Sequence, residues 1–367
     1  MDDRLIDDER LPLSRRSVLP GEGFFFPDSL EEERAELEAQ SALTGAATAV
    51  VADPDADGLA CVALAREAFG DAALLPAGPH EIGEALSHVA EFAEPGARIV
   101  VCDLCPDGPE DVDALGDVVE RAGSVRWFDH HQWDDDLAST VERAGVELVV
   151  GDSEEECTAD VARRSLEYDF ADRFADLAAV TRDHDLWIRE DPRSDDLADF
   201  AYWEEPEAYV EVIRQYGADL PEPVLEYLAE RRVEKDALIE LAVKRAETVD
   251  IGPWTVGVTY GRCSQNEVAE AMRQEGADAG VIVKPAGSAS IRGTDAFDRC
   301  HEVAGRVDGG GHPKAAGCKP DVYDDMLDYA HHWTTRGAVT KRVILDAFRD
   351  VLADVEAEEE EGIESER

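Results

Sequence analysis

The stretch TAVVADPDADGLA, residues 48–60, runs from apolar residues straight into Asp53, Asp55 and Asp57 at alternate positions, followed by Gly58. Its first half reads as a buried strand over 48–53, and GLACVALAREAFG (58–70) reads as a helix. An apolar run without polar alternation suits a strand covered on both faces, as in a parallel sheet. The aspartates then fall where strand gives way to helix. By itself that placement suits an Asx turn capping the helix as well as it suits a metal site.

The same rhythm continues outward. AALLPAG (72–78), ARIVVCD (97–103), SVRWFDHH (124–131) and VELVVGD (146–152) read as strands, with helices at 81–93, 110–122, about 155–168 and 171–181. Strands alternating with helices predict an α/β domain over 46–204, a parallel sheet with helices on both faces. Residues 1–45 form an N-terminal extension with one helix near 29–42. Residues 205–250 read as a charged helical connector with one apolar stripe. A smaller α/β domain is expected over 251–335, with strands at 254–261, 279–287 and 288–294 and helices at 264–275 and about 295–305. A C-terminal helix and an acidic tail fill 336–367. The tail VEAEEEEGIESER has no apolar face and is predicted to be disordered.

The chain has 367 residues, 85 Asp and Glu against 35 Lys and Arg, and a formal net charge of −50. Such acidity fits a protein of a concentrated-salt (halophilic) environment. At molar salt the Debye length is about 3 Å, and carboxylates no longer repel over distance. The charge therefore says nothing against a nucleic-acid partner, since a local basic groove survives in an acidic protein. No apolar run of about 18 residues occurs, so no membrane association is expected. MDDRLIDDERLPLSRR lacks the apolar centre of a signal peptide, and the expected location is cytoplasmic. Seven cysteines, an odd number in a long chain, predict no disulfide framework. Cys102 and Cys105 lack a second pair to complete a zinc site, and Cys102 is expected in the core.

The polar clusters sit at predicted strand ends: Asp53, Asp55 and Asp57 after the first strand, Asp103 after the third, and Asp129, His130 and His131 after the fourth. In an open parallel sheet such groups converge in one crevice. Several carboxylates gathered there repel unless a cation neutralises them. Oxygen donors with one or two imidazoles suit Mn²⁺ or Mg²⁺ better than zinc. The number of carboxylates suggests two ions, with the central Asp103 as the bridge. Paired ions suit phosphoryl chemistry, since they activate water and absorb charge on phosphate oxygens. The later run GGGHPKAAG lacks the spacing of a Walker loop. Its glycines still let amide groups approach an anion, with His312, Lys314 and Arg292 nearby in sequence or on an adjacent strand.

The ordered set DPDADG, VCDLCP, FDHHQ, AAVTRDHDLW and GGGHPKAAG, spread over about residues 46–320, resembles the motifs of the DHH phosphoesterase superfamily with its associated C-terminal domain. That family includes RecJ-like exonucleases, short-oligonucleotide nucleases, cyclic-dinucleotide phosphodiesterases and family II pyrophosphatases. The resemblance implies Asp55, Asp57, Asp103, His130 and Asp183 as metal ligands, with Asp103 bridging two Mn²⁺ ions and Mg²⁺ as a substitute. Asp185 is the alternative to Asp183. His131 is implied to act on substrate phosphate, and Arg292 and His312, with Gly310 and Gly311, to hold a phosphate or terminal nucleotide. Asp53 stands where the family often has His, and is expected to bind metal as a carboxylate or to weaken one site. The implied activity is a RecJ-like, Mn²⁺-dependent hydrolysis of single-stranded DNA or RNA, or of short oligonucleotides. The alternatives are a nanoRNase with nucleotide phosphatase activity, a cyclic-dinucleotide phosphodiesterase, and a catalytically impaired regulatory subunit that binds nucleotide. Long RecJ enzymes carry a further oligonucleotide-binding domain, for which this chain is expected to be too short. The resemblance also leaves room for a homodimer.

Overall fold

Strand β1, Thr48–Ala52, is buried at every position and lies inside a five-stranded parallel sheet. The computed structural model describes residues 28–106, 108–323 and 326–365. The chain divides into two compact units, with the boundary between Leu228 and Ala229.

In the first unit, helix α1 (Asp28–Leu43) precedes β1, and helix α2 (Ala56–Phe69) follows it. Then come β2 (Ala73–Pro76), α3 (Ile82–Phe92), β3 (Arg98–Cys102), α4 (Leu115–Arg121), β4 (Ser124–Asp129), α5 (Asp135–Ala144) and β5 (Glu147–Val150). The sheet order is β2-β1-β3-β4-β5, and every pairing is parallel. Helices α6 (Thr158–Ser165), α7 (Asp172–Asp185), α8 (Pro192–Trp203) and α9 (Pro206–Tyr216) complete it, and α10 (Glu222–Lys244) carries the chain onward.

Successive side chains of a strand point to opposite faces, and the two core layers show it. Val50, Ala52, Val100, Cys102 and Phe128 pack with Leu59, Phe174, Leu177 and Tyr209 from α2, α7 and α9. Ala49, Val51, Ile99, Val101 and Trp127 pack with Leu43, Leu86, Leu115 and Val141 from α1, α3, α4 and α5. Strands β1 and β3 thus read as apolar runs because both faces are covered. Burying each such Val, Leu or Phe contributes about 1.5–3 kcal/mol. All seven cysteines are free, with Cys102 buried in the first of these layers.

The second unit holds a six-stranded mixed sheet, order β10-β11-β9-β8-β7-β6. Its strands are β6 (Glu247–Ile251), β7 (Trp254–Tyr260), β8 (Ala279–Val283), β9 (Ala289–Gly293), β10 (Gly309–Gly311) and β11 (Ala315–Cys318). Among the described residues of this sheet, only β7 and β8 pair in parallel. Helix α11 (Gln265–Gln274) packs Val268, Ala269 and Met272 against Ile282 on one face. On the other face α12 (Cys300–Gly305) and α14 (Ala338–Ser365) pack Val303, Ile344 and Phe348 against Val281 and Ile291. Helix α13 (Met326–Thr334) lies between those two in sequence.

The α/β class and parallel first sheet agree with the sequence reading, and several details differ. Strand β6 occupies residues read as connector helix, because the edge strand is mostly exposed and lacks an apolar run. Helix α5 has no counterpart in the sequence reading, although Asp134 caps it by accepting from Asp136 N and Leu137 N. The acidic tail is helical through Ser365, as a continuation of α14, whose earlier turns are anchored by Phe348 and Val351. Residues 1–27 of the expected N-terminal extension lie outside the described residues.

Candidate metal centre

Strands β1, β3 and β4 are neighbours in the sheet and all end at the same edge, with Asp53, Asp103 and Asp129 at their carboxyl ends. Helix α7 brings its last turn to the same place, since Asp185 Oδ2 lies 3.2 Å from His130 Nε2.

Asp55 is the N-cap of α2, and its Oδ1 accepts from Asp57 N at 2.9 Å and Gly58 N at 3.0 Å. The capping reading of DPDADG is therefore correct for Asp55, which also lies within electrostatic reach of Asp57 and Asp103. A Cβ at Gly58 would collide with the Asp53 carbonyl oxygen, which is why glycine must end the motif. Asp57 is buried and accepts from Thr158 N at 2.6 Å and Ala159 N at 2.8 Å. Asp103, at φ 59, lies in the left-handed region, rare for a residue with a side chain. Its Oδ1 accepts from the Thr158 hydroxyl at 2.8 Å and lies 3.8 Å from His130 Nε2 and 3.9 Å from His131 Nδ1.

Two sets of side chains are each close enough to share one ion. Asp103, His130 and His131 form one, and Asp57, His130 and Asp185 form the other, with ligand atoms within 4.8 Å of one another. His130 belongs to both. Asp53 belongs to neither, although it adds to the negative field at Asp185.

The structure places Asp183 and its alternative Asp185 in different surroundings. Its Oδ1 and Oδ2 accept from Glu190 N and Asp191 N at 2.9 and 3.1 Å, and its carbonyl accepts from Ile188 N and Arg189 N. Two residues along a helix turn a side chain by about 200°. Asp183 therefore closes the loop after α7, while Asp185 faces His130.

Burial, then Asp185 and Asp55, push the Asp57 carboxyl up, against the pull of the Thr158 and Ala159 amides. Burial and the neighbouring Asp57 and Asp55 raise Asp103 in the same way. Burial, then Asp55, lifts Asp185 to about 7. Burial lowers His130. His131 behaves oppositely: burial opposes its charge, but Asp129 overrides it and lifts the imidazole to about 9. Asp129 is fully buried, accepts from Trp133 Nε1 at 2.6 Å and stands 2.7 Å from His131 Nδ1. Despite its burial, these partners hold its carboxyl below the usual range.

The donor set fits a divalent cation. Several carboxylates crowd a low-dielectric pocket, and a cation removes their mutual repulsion. Asp185 Oδ2 is buried yet receives no hydrogen bond, as a ligand oxygen would.

The remaining candidates lie in the second unit. Gly309, Gly310 and Gly311 form β10, paired with β11. A Cβ at Gly309 or Gly311 would meet β11 backbone, so close strand approach accounts for these two glycines. His312 N donates to Ala315 O at 2.7 Å, and Ala315 pairs with Arg292 in register. Arg292 donates from Nε to Asn266 Oδ1 at 2.8 Å.

The fold is similar to the DHH domain of a member of a family of ribosomal proteins, with a TM-score of 0.56 and 14% identity, over 95% of this chain and 97% of that one. The chain has the DHH fold. A manganese-bound RecJ exonuclease shares it, with a TM-score of 0.51 and 16% identity, over 89% of this chain and 96% of that one. So does RecJ of Thermus thermophilus in complex with Mn²⁺, with a TM-score of 0.51 and 17% identity over 90% of this chain. The chain covers 56% of the length of that Thermus protein. No protein-family model matches the sequence, and comparison with curated proteins gives no match. No helix among the described residues is long and apolar enough to cross a membrane.

Three features of this centre were not settled by the sequence reading. Trp133 and the CTAD stretch at 157–160 carry no signal of their own, because their partners lie across space. The third, the choice between Asp183 and Asp185, needed the helix phase.

Proposed function

We propose that the chain is a divalent-metal-dependent phosphodiesterase acting on single-stranded DNA or RNA, with Mn²⁺ as its preferred ion. Residues 46–204 would be the catalytic domain and 251–335 the substrate-binding domain. The observation that carries this reading is the convergence of Asp57, Asp103, His130 and Asp185 at one sheet edge. A bound pair of divalent ions supplies hydroxide near neutral pH and neutralises charge on the phosphoryl oxygens.

The chain's own residues do the rest. Asp57, Asp103, His130 and Asp185 would hold the ions, and Asp103 Oδ1 lies near both imidazoles. Asp55 caps α2 and adds negative potential beside them. His131, kept protonated by Asp129, presents its other nitrogen to a non-bridging phosphate oxygen. Trp133 holds Asp129 so that the imidazole cannot rotate away. Arg292 and His312, beside Gly310 and Gly311, would take a second phosphate or a terminal nucleotide.

A substrate panel tests the proposal. Purified protein in concentrated KCl with Mn²⁺ is offered labelled single-stranded DNA and RNA of several lengths, dinucleotides and a cyclic dinucleotide. Shortening of the long strands, abolished by Asp103→Asn, supports it. Turnover restricted to dinucleotides or the cyclic dinucleotide replaces the substrate class. No turnover with any divalent ion overturns the enzymatic reading and leaves a binding role.

A further inference from the structure

Thr158 is the first residue of α6 and is fully buried. A helix starts with amide groups that find no partner inside it. Cys157 stands at the N-cap and makes no side-chain capping bond. The free amides of Thr158 and Ala159 donate instead to the two oxygens of Asp57, about a hundred residues earlier in the chain. The Thr158 hydroxyl donates to Asp103 Oδ1. One residue therefore ties together a carboxylate from the first turn of α2 and one from the end of β3.

The helix start is fixed in its turn. Arg182 Nη1 donates to Asp160 Oδ2 at 2.9 Å, and Arg182 lies in α7 three residues before Asp185. The opening turn of α6 thus sets the spacing of Asp57, Asp103 and, through Arg182, Asp185. Side-by-side buried carboxylates tend to separate or to take up a proton. Each oxygen can accept two bonds, so a tie from Thr158 leaves capacity for an ion.

We propose that Thr158 is a positioning residue for the metal centre, its amide and hydroxyl holding Asp57 and Asp103, one carboxylate from each of the two sets that could take a divalent cation. The inference rests on the metal-dependent reading above. Thr158→Val keeps the shape and the amide but removes the hydroxyl. Positioning groups behind metal ligands typically account for about 10–100-fold in metal affinity, and a loss of about that size is expected here. Thr158→Ser keeps the hydroxyl and is expected to stay within about threefold of the parent, on the same scale.

The experiment titrates Mn²⁺ into the full chain in concentrated KCl and reads free ion by electron paramagnetic resonance, with circular dichroism to check the fold. A parent protein that takes up no Mn²⁺ removes the metal reading itself. A parent that binds while the valine variant binds equally well overturns the role of Thr158 alone. If the valine variant does not fold, Thr158→Ala and Thr158→Ser are compared by the same readout. Weakened uptake in alanine with near-parental uptake in serine supports the inference, and equal uptake in both overturns it.

Discussion

His131 Nδ1 lies 2.7 Å from Asp129 Oδ1, an imidazole–carboxylate pair at the end of β4 whose second oxygen is taken by the Trp133 indole. Asp129 is fully enclosed, and its charge raises His131 while also acting on His130, Asp103 and Asp185. His131→Ala should lower turnover by about 10²–10⁴-fold, the range for a positioned proton-bearing group, while Mn²⁺ content changes little. Asp129→Asn should cost about 10–100-fold. Equal loss of manganese and of turnover in His131→Ala would make His131 a ligand instead. Metal analysis beside single-turnover kinetics separates the two.

Asp185 and Asp183 should behave as different kinds of residue. Asp185→Asn is expected to reduce manganese stoichiometry and leave the melting temperature of the metal-free protein unchanged or raised, since it relieves carboxylate crowding. Asp183→Asn should keep the metal and lose about 1–3 kcal/mol of stability, because the Glu190 and Asp191 amides lose a charged acceptor. Melting curves with and without Mn²⁺ check both.

Adding Mn²⁺ to chelator-treated protein should raise the melting temperature. A ligand at about 100 times its dissociation constant stabilises by about 2.7 kcal/mol, and the relief of repulsion among Asp57, Asp103 and Asp185 is its physical source here. Asp57→Asn and Asp103→Asn should each abolish most of that increment.

Activity on nucleic acid should rise with salt, opposite to the usual trend. Phosphate contacts ordinarily weaken as salt rises. A protein of net charge −50 also repels a polyanion at long range, and this dominates while the Debye length is about 10 Å. Between about 0.1 and 2 M KCl, kcat/KM on a single-stranded oligonucleotide should rise about tenfold, a typical electrostatic effect on encounter. Circular dichroism at each salt confirms that the fold is not what changes.

His332 gives the second unit an acid sensitivity. Its Nε2 donates to Lys284 O at 2.9 Å, so Nδ1 accepts from the Tyr323 hydroxyl at 2.6 Å. Burial holds the folded imidazole below its ordinary value of 6.5. The unfolded chain therefore binds a proton more readily. The stability is fully present above the ordinary value and is lost as pH falls below it, through the lower folded one. His332→Gln should cost stability at about pH 8 yet show a smaller drop in melting temperature between about pH 7.5 and 5.5. An unchanged drop would remove His332 as the source.

Much of the fold is legible in residues 48–131, because a doubly covered strand needs an unbroken apolar run and β1 and β3 have one, while in β4 only Arg126 interrupts it. Their polar ends then locate the centre. The sequence is silent where meaning depends on distance across the fold. Asp183 and Asp185 are indistinguishable until helix phase and the loop amides are known. Thr158 looks like an ordinary helix start until its acceptors, Asp57 and Asp103, appear opposite it. Strand β6 stays hidden because an exposed edge lacks the apolar run that marks the inner strands.

Since Asp57 supplies the cap that α6 lacks, a descendant that bound no metal would still be under architectural pressure to retain an acid there. An aspartate at 57 is thus a poor marker of a working metal site. The informative position is 185, where one buried carboxylate oxygen receives no hydrogen bond, and where drift would be the first trace of an abandoned cation site.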